Sequence, residues 1–81
     1  MFENAYNLDV ALDVVFSLRT MRCNERDNET DPVKKSQLQQ EIEMLYYERE
    51  ALYKGGEMQR SLIDKAFRLY APILKSHYAT V

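Results

Sequence analysis

Eighty-one residues with 30% charged side chains, two glycines, two prolines and no tryptophan suit one helical domain and argue against a turn-rich β-sandwich. Thirteen acidic and eleven basic residues leave a net charge of −2, which supplies no strong field for recruiting nucleic acid or an anionic membrane. The single cysteine, Cys23, excludes an internal disulfide and a multi-cysteine zinc site.

The N-terminus lacks a basic n-region, and Asp9 and Asp13 interrupt the apolar run that a secretory signal needs. No apolar stretch approaches the ~20 residues of a membrane span. These features, with the lone cysteine, predict a cytoplasmic protein that does not engage a membrane. On that reading the sequon Asn28-Glu29-Thr30 is a chance match.

Helix 1 is expected over about residues 5 to 26, capped by Asn4 or Asn7. Eight of the eleven residues from Leu8 to Leu18 are apolar, and the three exceptions, Asp9, Asp13 and Ser17, share a narrow stripe that continues to Thr20 and Asn24. A helix apolar around some two thirds of its circumference needs more than one neighbour. Leu12, Val15, Phe16 and Leu18 are therefore expected to meet both helix 2 and a second subunit. Further along, Arg19, Arg22 and Arg26 continue the stripe of Leu8, Leu12, Val15 and Leu18. They point either to ion pairs with acidic residues such as Glu41 or to an acidic or phosphate-bearing partner.

The polar run from Asp27 to Asp31 ends in Pro32, a residue suited to the first helical position because no amide hydrogen is needed there. Helix 2 then extends over about residues 32 to 54, and Gly55-Gly56 stops it. Its seam is Leu38, Ile42, Leu45, Arg49 and Leu52, spaced by four, three, four and three, with a charge where a leucine belongs. Arg49 is expected to lay its stem on Tyr46 and Tyr53 and send its guanidinium to Asp9, Asp13 or water. The alternative is a buried polar group that selects one register or oligomer. Val33, Met44, Tyr47 and Ala51 lie away from that seam. They form core if helix 3 covers them; otherwise Met44 and Tyr47 are interface anchors.

Helix 3 is expected over about residues 57 to 76, kinked or ended near Pro72, whose missing amide removes the hydrogen bond to the Arg68 carbonyl. Met58, Leu62, Ile63, Ala66, Phe67, Leu69, Tyr70, Ile73 and Leu74 divide cleanly from a polar face. Arg60, Lys65, Arg68 and Lys75 could touch phosphates there, with Tyr70 or Tyr78 stacking on bases. His77, the only histidine, stands near the C-terminus.

The fold expected is all-α: an antiparallel three-helix bundle, or a long helical hairpin with a kinked third helix, as one domain over residues 1 to 81. Burial of only about 60% of the unfolded chain's surface favours self-association. With one histidine, one cysteine, no glycine-rich phosphate loop and no metal-ligand spacing, no catalysis, cofactor or metal is expected. The function predicted is that of a homodimeric regulator, adaptor or chaperone-like module that binds another protein. The alternative is a small nucleic-acid-binding regulator using the basic face of helix 3.

Overall fold

A computed structural model describes residues 2–79, with side chains from Asn7 to Ala79. The described residues are all-α and contain no strand. Helix α1 spans Phe2–Asn28 and α2 spans Pro32–Lys54. A third rod follows, made of α3 (Glu57–Lys65), a π-helical turn (Ala66–Tyr70) and α4 (Ala71–Ala79). Since α1 begins at Phe2, Asn4 and Asn7 lie inside it and neither is its cap.

The two connections follow from local chemistry. The Asp31 side chain accepts the Val33 amide at 2.9 Å, which satisfies a donor left over at the start of α2, and Pro32 occupies the first turn. At the other end Gly55 and Gly56 take φ values of 78° and 91°, in the left-handed region that L side chains disfavour. Gln59 reaches back across this turn and donates to the Leu52 carbonyl at 2.9 Å, using an acceptor at the end of α2.

The register of α1 and α2 is antiparallel. Arg22 pairs with Glu41 and Arg26 with Gln39, so one number rises as the other falls. The third rod runs alongside α1 in the same direction, with Asn7 near Ile63 and Phe67 and with Thr20 near His77 and Tyr78. It is α1, rather than α2, that packs along both neighbours, as its wide apolar circumference requires. The backbone of α2 approaches the third rod only along α3. Beyond α3 the two diverge, and the molecule measures 45 × 27 × 14 Å.

The core is Ala11, Val15, Leu18 and Met21 from α1, Leu45 and Leu52 from α2, and Leu62, Ala66, Tyr70 and Leu74 from the third rod. The last four are each four residues apart. In a regular helix such a set would drift about 40° per step, because four residues exceed one 3.6-residue turn. The π-turn absorbs that drift, with the Ala71 amide bonding to the Ala66 carbonyl five residues back. It also lies directly before Pro72, where the ordinary bond to Arg68 is unavailable. Helix therefore continues through Pro72 to Ala79.

Candidate protein-docking groove

Beside the contact between α2 and α3 lies an apolar groove of roughly 480 Å³, lined by Met44, Tyr47, Glu48, Ala51, Met58 and Leu62. Tyr47 is 70% exposed, Met58 63% and Met44 41%. Of the α2 stripe, Ala51 is half-buried whereas Val33, Met44 and Tyr47 are exposed, so helix 3 leaves most of that stripe uncovered. Leu69 adds exposed apolar surface one turn beyond Lys65.

The groove's only charged lining residue is tied down. Glu48 accepts from Lys65 Nζ at 2.6 Å and from the Tyr70 hydroxyl at 2.6 Å, bridging α2 to the π-turn. Burial and the Glu48 carboxylate together push the Tyr70 hydroxyl up to about 12. The hydrogen bond that Lys65 donates to Glu48 also raises the lysine's pKa, and its ammonium lies 5.4 Å from the Tyr70 ring centre. With Glu48 engaged in this way, the rest of the groove lining is apolar or aromatic, and a polar guest would find few partners there.

The remaining sequence-predicted residues fall into three groups. Val15 and Leu18 are consumed by the chain's own core, at 1% and 0% exposure, whereas Phe16 is 54% exposed and Leu12 is half-buried. Arg49 stacks over Tyr53 at 5.1 Å, as expected, and its half-exposed guanidinium pairs with Glu50 at 3.9 Å rather than with Asp9 or Asp13, the other outcomes expected beside water. The ring of Tyr46 is covered instead by Arg19, at 5.6 Å. Arg22 binds Glu41 and Glu25, each at 2.7 Å, while Arg26 binds Gln39 and Asp27. Burial works against the charge of Arg22, and its two carboxylates more than offset that, leaving its pKa above the ordinary value.

On the third rod, Lys65 is held by Glu48, and Arg68 forms an exposed pair with Asp64 at 3.2 Å. Arg60 and Lys75 are exposed. Tyr70 is 6% exposed and so is not available to stack on a base, while Tyr78 is exposed beside His77. No group of three or more His, Cys, Asp or Glu residues among the described residues is placed to hold a metal ion. No helix among them is long and apolar enough to cross a membrane.

Sequence reasoning placed Met44 and Tyr47 but did not assign Met58 to the same site. The sequence groups Met58 with the apolar half of helix 3, yet it is 63% exposed. No local signal assigns it to the groove, because its exposure depends on how α3 meets α2. Neither family models, nor curated proteins, nor solved structures give a match to this chain.

Proposed function

We propose that the protein is a non-enzymatic, cytoplasmic interaction module: a flattened antiparallel bundle of three helices that self-associates and binds an apolar, helical segment of another protein in the α2–α3 groove. The observation that carries this reading is the contiguous exposure of Met44, Tyr47 and Met58 around Ala51 and Leu62. Soluble chains rarely leave such surface uncovered without use. Methionine pairs in a groove adapt to varied apolar guests, and tyrosine is enriched at binding hot spots. A helix laid along this groove would contact both α2 and α3, and its own backbone needs no hydrogen bond from the groove.

The test replaces Tyr47 with a photo-reactive phenylalanine analogue and irradiates growing cells. Cross-links to another polypeptide are expected at this position and should be absent when the same group replaces exposed Ser36, outside the groove. Equal yields from both positions would overturn the reading. Nucleic-acid binding by the third rod is less favoured, because Lys65 and Arg68 already hold Glu48 and Asp64.

A further inference from the structure

A second surface lies on the outward side of α1. Asp9, Leu12, Phe16, Arg19 and Cys23 succeed one another by three, four, three and four residues, the spacing that lets one helix lie along another. Asp9 is exposed, Phe16 is 54% exposed, and Leu12, Arg19 and Cys23 are half-buried. The same strip is bordered by Tyr46 of α2, over which Arg19 lies.

The charges on this strip are incomplete. Arg22 and Arg26 each hold a carboxylate, whereas Arg19 holds none among the described residues and its Nε is buried without a hydrogen-bond partner. Asp9 has no ion pair among them either. Within one helix these two cannot meet: ten residues separate them, about 15 Å along the axis. The order of the strip is nevertheless self-complementary. Reading forward it runs acid, apolar, apolar, base; an antiparallel copy reads base, apolar, apolar, acid.

We propose that this strip is the contact between two copies of the chain, packed antiparallel about a two-fold axis between Leu12 and Phe16. In that register Leu12 of each chain meets Phe16 of the other, and Asp9 of each meets Arg19 of the other. Two apolar layers stand at the centre, and one ion pair closes each end. Such an interface is isologous, so a single strip supplies both halves. Arginine stacked on Tyr46 presents a pre-ordered fork, the form in which a guanidinium recognises a carboxylate with least ordering cost. The inference rests on the self-association reading above and assigns it a surface distinct from the groove.

The experiment measures mass by light scattering for the native chain, for Asp9→Arg and Arg19→Asp, and for their equimolar mixture. The native chain should have twice the 9.6 kDa chain mass. Each single variant should be monomeric with unchanged helical circular dichroism, since both side chains lie outside the core. The mixture should regain the dimer, because each variant then supplies the charge that the other needs. A monomeric native chain, dimeric single variants or a monomeric mixture would each overturn the proposal. A monomeric native chain would remove the self-association reading as well, whereas a dimeric native chain with dimeric single variants would remove only this surface; neither result touches cross-linking from position 47. A further variant, Phe16→Ala, should weaken dimerisation at least tenfold while the isolated chain keeps its helical content.

Discussion

Glu48 concentrates the polar chemistry of the chain at one point. It anchors both an ammonium and a phenol from the third rod, and its side chain is only 13% exposed. Replacing it with alanine leaves the buried Tyr70 hydroxyl without its acceptor, an expected loss of about 1–3 kcal/mol measurable by denaturant unfolding. The same cluster sets a pH dependence. Lys65 and Tyr70 both have folded-state pKa values above their ordinary 10.5 and 10.0, so the stability they contribute is complete below about pH 10 and is lost above it, Tyr70's share as the pH approaches about 12. Unfolding midpoints should be insensitive to these two groups through neutral pH and fall above pH 10. One tyrosine should ionise near 12 in ultraviolet titration and somewhat lower in Glu48→Gln, which removes the carboxylate's contribution and leaves that of burial. The cluster was not legible in the sequence, because Glu48 lies 17 and 22 residues from its partners and no local pattern links them. Arg22 with Glu41 was more accessible: both border apolar seams of adjacent antiparallel helices, so their pairing follows from the hairpin.

The helical elements can be traced to strong local signals. Asp31-Pro32 opens α2, and Gly55-Gly56 closes it with two left-handed residues. Gly56→Ala should cost about 1–3 kcal/mol by forcing a side chain into φ 91°, even though nothing lies within 4 Å of the added carbon. Thermal melting checks this, and an unchanged midpoint would mean that the turn relaxes freely. The third rod was harder to read. Its apolar residues fit one half of a regular helix, yet the residues buried are the four-spaced set Leu62, Ala66, Tyr70 and Leu74, which a π-turn aligns. Phe67, Leu69 and Ile73 consequently stand on the surface. Periodicity carries no mark of where a helix unwinds by one residue, although Pro72 gave notice that the ladder is disturbed nearby.

Across the whole molecule, a thin core coexists with more apolar surface than the fold uses. Leu18, Leu45 and Leu52 are fully buried, and truncating Leu45 to alanine should cost about 2–5 kcal/mol, enough to unfold much of so small a domain. Tyr47, Met44 and Met58 are apolar yet should behave in the opposite way. The wide apolar circumference of α1 was visible in the sequence, and so was its need for two neighbours. What could not be read was that α3 leaves the Met44 and Tyr47 side of α2 uncovered, since it depends on how three rods meet rather than on any one of them. Equilibrium denaturation of a Met44→Ser, Tyr47→Ser, Met58→Ser variant tests most directly whether the groove is docking surface rather than core. An open groove predicts stability within about 1 kcal/mol of the native chain. A loss of several kcal/mol would show these side chains to be part of a closed interior and would contradict the account.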